Sequence, residues 1–258
     1  MRSFLYPVRY RLLVVWLLAL TSLISPIGVL SNDRVTTFCF NDWPPYTRTT
    51  DSEADGISIN IIKRAAQILG REAVFFEMEW NECLNKVKEG AVDAVLDAAQ
   101  RDEFLQGPTS FNMYTDTFWV NNSSNINRYE QLNGGKIGLV EGYVYNDRLL
   151  AHLKTLNLEL VYGVDEPTII RDLAQGQLDT VVADLASTFV FVRQQKIKAH
   201  PILPPFSVDK LYLSFNAAKP ELQRDFDRIF AELLAQGYVD EVYQQWIGTT
   251  YSNFAGAN

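Results

Sequence analysis

The stretch CFNDWPPY, residues 39–46, places the rings of Trp43 and Tyr46 on either side of two prolines, directly after the apolar-alternating run RVTTF. Pro44 and Pro45 fix φ and lack an amide donor, so the sheet ladder ends there and the following loop is stiff. Two readings of the rings stand open at this point: display on a rigid loop for a ligand, or capping of a core edge, since aromatics mostly bury. Acids available as an acid or base are Asp97, Glu141 and Asp184. His152 lies in a helical pattern and His200 in a proline-rich loop, with neither triad nor metal spacing, so no catalytic residue, metal or cofactor is expected. The cysteines are two, Cys39 and Cys83. In an exported chain they are expected to pair, closing a loop of about 45 residues worth roughly 4 kcal/mol in the chain-entropy model; two buried thiols are the alternative.

Export is itself an expectation from the first 31 residues. Arg2, Arg9 and Arg11 form a basic start, LLVVWLLALTSLI an apolar centre, and Pro26 and Gly28 break the helix before the small Ser31. An uncleaved anchor is the competing reading, but Thr21, Ser22 and Ser25 interrupt the apolar run and leave it short for a span. The whole chain carries 23 basic and 31 acidic residues; removing the three arginines leaves 20 against 31, a balance of −11. Such a surface argues against nucleic acid or an anionic membrane as partner.

The residues that follow alternate strand and helix patterns. ISINIIKRAAQIL repeats apolar residues at helical spacing and stops at Gly70. VFFEMEW alternates, which predicts a strand with Val74, Phe76, Met78 and Trp80 on its buried face, and Asn81 is placed to cap the helix ECLNKVKE. VDAVLDA completes a β-α-β-α-β series, and KIGLV, NDRLLAHLKTL, LELVYGV, PTIIRDLAQ and LDTVVAD repeat it. The repeat shows in letters too, with EGAVDAVLD at 89–97 matching QGQLDTVVA at 175–183. Asp93 and Asp179 take equal places in it and read as turn residues rather than chemistry. Two similar α/β lobes are therefore expected, joined by MYTDTFWVNN and PFSVDKLYLSF and closed by the amphipathic PELQRDFDRIFAELLAQ.

With DWPPY, DGISINIIKRAAQILG, KIGLVEGYVY, LDTVVAD and the C-terminal PELQRDFDRIFAELLAQGYVDEVYQQWIG, the chain resembles the polar-amino-acid class of periplasmic solute-binding proteins of ABC importers, family 3 of the bacterial extracellular binders. The resemblance implies a two-lobed periplasmic-binding-protein-like α/β fold of type II, with two crossover hinge segments and C-terminal helices packed on the first lobe. Its divisions would be a signal peptide at 1–31, the first lobe at 32–118 and 208–258, and the second at 119–207. It also implies a monomer that captures a small polar solute, an amino acid or analogue, between its lobes in the periplasm and delivers it to a membrane permease. A binder feeding a signalling partner, and a dehydratase-like enzyme on the same scaffold, are the alternatives.

Carried over position by position, the resemblance makes Arg101 the grip on a ligand carboxylate and Asp184 the partner of an ammonium. Gly142 then opens a turn whose amides help hold the carboxylate, and Trp43 and Tyr46 wall the side chain; Tyr114 and Tyr143 are further candidates, for which packing is the competing reading. A planar guanidinium suits a carboxylate, and rings add apolar and cation-π contact. On residues alone, a surface pair with Asp102 or Glu103 is the alternative for Arg101, and a helix cap is the alternative for Asp184. The chain departs from the family in three places. LDAAQR is shorter than the usual loop and puts Asp97 where small hydroxyl residues are common, Tyr143 stands where a threonine is common, and Ser58 stands where an acid is common. If the shortened loop carries Arg101 away from the cleft, the ligand falls to Asp97.

Overall fold

The strand pattern of residues 35–40 becomes β1 (Val35–Phe40), whose alternation decides both faces of the first sheet. Phe38 and Phe40 enter one core with Ile57, Ile61 and Phe226, while Cys39 points the other way among Trp80, Cys83, Val87 and Val95. The computed structural model describes residues 34–255, so the export segment read at residues 1–31 lies outside the described residues. After β1 come a short hairpin, β2 (Arg48–Thr50) and β3 (Glu53–Asp55), then α1 (Ile57–Ile68), β4 (Glu72–Glu77), α2 (Trp80–Lys88) and β5 (Ala94–Ala98). β1 lies parallel between β4 and β5. The cysteines are joined, Cys39 of β1 to Cys83 of α2, which pins that helix to the sheet.

Two details differ from the sequence reading. The fourth strand stops at Glu77 and exposes Phe76, turning Ala73 and Phe75 to the core instead, because this edge strand meets α1 on that face. Trp80 consequently opens α2 rather than closing the strand, and Glu79, not Asn81, is the cap: its carboxylate accepts from the amides of Asn81 and Glu82 at 3.0 Å each.

The chain then passes β6 (Leu105–Gln106) and enters β7 (Asn112–Asn121), followed by a 3₁₀ turn (Tyr129–Gln131), β8 (Lys136–Val140), α3 (Asp147–Thr155), β9 (Glu159–Gly163), α4 (Glu166–Ala174), β10 (Thr180–Ala183), α5 (Leu185–Gln195) and β11 (Ala199–Pro201). It returns through β12 (Ser207–Phe215) and ends in α6 (Pro220–Ala235), α7 (Tyr238–Ile247) and α8 (Tyr251–Ala255). The crossovers are β7 and β12. Asn112–Asp116 of β7 pairs with Ser207–Leu211 of β12, then Thr117–Val120 joins β10 of the second sheet, while Tyr212–Phe215 of β12 joins β5 and β6 of the first. Each lobe has a sheet between helical layers. In the first, α1, α6 and α7 cover one face and α2 the other. In the second, α3 covers one face and α4 with α5 the other.

The repeated aspartates explain their own repetition. Asp93 Oδ2 accepts from the amide and hydroxyl of Thr37 in β1, and Asp179 Oδ2 accepts from the amide of Lys136 at the start of β8. Each ties the turn before one strand to its neighbour in the sheet, at 2.9 and 2.7 Å. Among the described residues no helix is long and apolar enough to cross a membrane, and no group of three or more His, Cys, Asp or Glu is placed to hold a metal.

Candidate ligand-binding site

The loop after β1 is held in shape by its own backbone and by α1. Trp43 and Thr47 exchange amide-to-carbonyl bonds at 2.8 and 3.1 Å, and the first amides of α1, Ile57 and Ser58, donate to the carbonyls of Pro45 and Tyr46. Gly56 makes that approach possible, since with φ at 128° a Cβ there would strike the Tyr46 carbonyl. Of the two rings, Tyr46 is core: it packs 4.3 Å from Trp43 and does not reach the cleft between the lobes. Trp43 does reach it, stacked 6.1 Å from Tyr114 of β7. Tyr143 enters from the second lobe, edge-on to Tyr114 at 5.7 Å and to Trp80 at 5.9 Å. These rings, with Tyr145, close round a cavity of about 40 Å³.

Three side chains of that cavity each leave a polar atom without a partner. Asp97, the penultimate residue of β5, lies in the left-handed region, φ 55°, a conformation that Asp tolerates better than most side chains. Its Oδ1 accepts from Ser58 Oγ at 2.9 Å, and Ser58 Oγ accepts in turn from Asn112 Nδ2, whose Oδ1 is held by the Tyr243 hydroxyl at 2.6 Å. Its Oδ2 is buried with no partner. Burial raises the Asp97 carboxyl to about 6 against the pull of Asn112 and Ser58. Arg101 reaches the cleft across the short loop. One terminal nitrogen donates to the Gly142 carbonyl, the guanidinium lies 5.9 Å from the centre of the Trp80 ring, and the exposed Glu103 is 3.7 Å away. Its Nε is buried and unpartnered, as is the Tyr114 hydroxyl. Buried polar groups are nearly always paired, so a cation, an anion and a hydroxyl all left short on one cavity mark a place built for something else.

The turn at Gly142 has a positive φ of 77°, and a Cβ there would meet the side chains of Asn81 and Trp80. It is the Gly142 carbonyl that the first lobe holds, through Arg101 and through Trp80 Nε1 at 3.3 Å. Asp184 lies outside the cavity lining and is fully buried. It caps α5: Oδ1 accepts from the amides of Ala186 and Ser187, and Oδ2 from the amide and hydroxyl of Thr115, all between 2.7 and 3.1 Å. Its own amide donates to Glu166 Oε1 at 2.9 Å, and burial raises both carboxyls.

Of the residues the sequence points to, Trp43, Asp97, Arg101, Tyr114 and Tyr143 line one cavity, with Gly142 beside it, whereas Tyr46 and Asp184 do not line it. The cavity is also lined by two residues without a functional signal in the sequence, Trp80, expected in a strand, and Asp209, a lone acid in the crossover FSVDKLYLSF. Glu166, which accepts from Trp43 Nε1 across the cleft, was hidden in a helix start before Pro167.

Residues 37–249 match the profile of the bacterial extracellular solute-binding proteins, family 3. Over 218 residues the chain is 21% identical to the histidine-binding periplasmic protein of Escherichia coli (strain K12), covering 79% of this chain and 83% of that one. It is 22% identical over 217 residues to the L-arginine-binding protein of Pseudomonas aeruginosa, covering 79% and 84%. An ancestral arginine-binding protein bound to arginine superposes with a TM-score of 0.73 over 83% of this chain and 99% of that one, at 19% identity, which shows a shared fold.

Proposed function

The chain belongs to the bacterial extracellular solute-binding proteins of family 3, and from that premise we propose that it captures an amino acid or close analogue between its lobes and hands it to the permease of an ABC importer. The unpaired atoms at the cavity carry this reading: Arg101 Nε, Asp97 Oδ2 and the Tyr114 hydroxyl, ringed by Trp43, Trp80 and Tyr143. A zwitterion supplies the missing partners, its carboxylate to the Arg101 fork and its ammonium to Asp97. Asp184, whose oxygens already accept four bonds, serves behind the wall as a helix cap. Closing the lobes then brings Trp43, Asp97 and Arg101 onto the same solute as Tyr143 and Gly142, so the ligand stabilises the closed form.

In this reading the protein works as a monomer in the periplasm, and Asp97 binds rather than catalyses. The family consists of solute-binding proteins, and the named relatives bind histidine and arginine. A thermal-shift screen of the twenty amino acids against the exported form, followed by calorimetry on those that raise the melting temperature, tests it. At least one L-amino acid is expected to bind with one-to-one stoichiometry; stabilisation by none of them while another class of solute does stabilise the protein overturns the proposal.

A further inference from the structure

The charged side chains lining the cavity are Asp97, Arg101 and Asp209, two negative and one positive. If Arg101 takes a carboxylate and Asp97 an ammonium, as the function proposed above has it, one negative charge is left over. Asp209 sits in β12 directly opposite Tyr114, whose unpaired hydroxyl lines the same space. One oxygen of Asp209 accepts from Asn146 Nδ2 at 2.6 Å, and the same nitrogen donates to Asp116 Oδ2 at 2.9 Å and touches Ser207 Oγ at 2.8 Å. Asn146 is itself fixed, since its Oδ1 caps α3 through the amide of Leu149. Asp209 is thus held in one orientation, at the junction where both crossover strands meet the second lobe.

We propose that Asp209 is a subsite for a second cationic group, so that the solute class is a cationic amino acid, one whose side chain ends in an ammonium, guanidinium or imidazolium. The surplus carboxylate leaves a net negative field that a neutral or acidic side chain does not discharge, whereas a cation satisfies it. The walls suit the same group, because Tyr114, Tyr143 and Trp43 line the space with aromatic rings that favour a cation and offer apolar area to the stem that carries it. Discrimination by such a site is a difference of two affinities, set as much by what leaves Asp209 unpaired as by what pairs with it.

L-Arginine and L-citrulline are the probes, being nearly isosteric and differing in the charge of the terminal group. Calorimetry on the unmodified protein is expected to find arginine bound at least about 30-fold more tightly than citrulline, the loss usual when one member of a buried charge pair is removed. In Asp209→Asn that ratio is expected to collapse to within about 3-fold, since the amide no longer distinguishes the charge. Equal binding of the two probes by the unmodified protein overturns the cationic class and leaves amino acid capture standing. A ratio that persists in Asp209→Asn overturns the assignment to this residue. Failure of every amino acid to bind falls instead on the functional reading itself.

Discussion

Trp43 of the first lobe donates its indole Nε1–H to Oε2 of Glu166 in the second at 3.0 Å, a direct buried bond between the lobes. Glu166 is buried and its other contacts, Ser187 Oγ and the Asp184 amide, all lie on its own side. Trp43→Phe keeps an aromatic ring and removes this bond, worth about 0.5–1.5 kcal/mol, so amino acid affinity should fall by about 2- to 10-fold. Titration should change tryptophan emission in the unmodified protein and much less in the variant. Unchanged affinity together with an unchanged signal would return Trp43 to the core.

Gly142→Ala should separate closure from folding. The residue lies on an exposed turn at positive φ, and its added Cβ meets Asn81 and Trp80 of the opposite lobe. Affinity should drop about 10-fold or more from backbone strain and blocked closure, with a fall in unfolding free energy of about 1–2 kcal/mol. Small-angle scattering should show less compaction on adding ligand than in the unmodified protein. Full compaction would contradict the interlobe contact.

Stability should fall as pH rises through the range set by Asp116. Burial, reinforced by the nearby Asp209 carboxylate, raises the Asp116 carboxyl from 3.8 to about 8. Between those values the folded protein holds a proton that the unfolded chain has released, so each step up in pH favours unfolding. Asp116→Asn lacks the titration, and its unfolding free energy relative to the unmodified protein should gain about 2–4 kcal/mol between pH 5 and pH 9. Urea unfolding at a series of pH values checks this; parallel profiles for the two proteins would refute it.

Asp184→Ala should act on the fold. It strips four hydrogen bonds from a buried helix start, which costs about 2–4 kcal/mol through the lost cap and unpaired donors. Asp97→Asn should act on the ligand, weakening amino acid binding with a smaller change in the urea midpoint. Equal effects of both substitutions on the urea midpoint would show that the two acids share one role.

Much of the scaffold was legible because period and punctuation agree. KIGLV is β8 to the residue, and Gly70 and Pro167 stand at the helix boundaries they predict. The misplaced Trp80 shows the limit, since VFFEMEW alternates through the point where Glu79 caps a helix, and alternation carries no sign of which face an edge strand turns inward. In the site, Asp97 and Ser58 looked like two unrelated departures from the resemblance. The structure shows them bonded at 2.9 Å, an acid and a hydroxyl in exchanged places. Asp209 gave no such signal. Its meaning depends on the register that sets β12 opposite Tyr114, and register between strands nearly a hundred residues apart is not written in either strand.

Capture of an amino acid carboxylate by Arg101 is tested most directly by calorimetric titration of Arg101→Ala beside the unmodified protein, using the amino acid that stabilises it most. The guanidinium is the positive charge lining the cavity, and its Nε is unpaired there. Affinity should fall by about 30- to 1,000-fold, with the fold intact by circular dichroism, because the ligand carboxylate is then buried without a counter-charge. Binding by Arg101→Ala within about 3-fold of the unmodified protein would contradict the account.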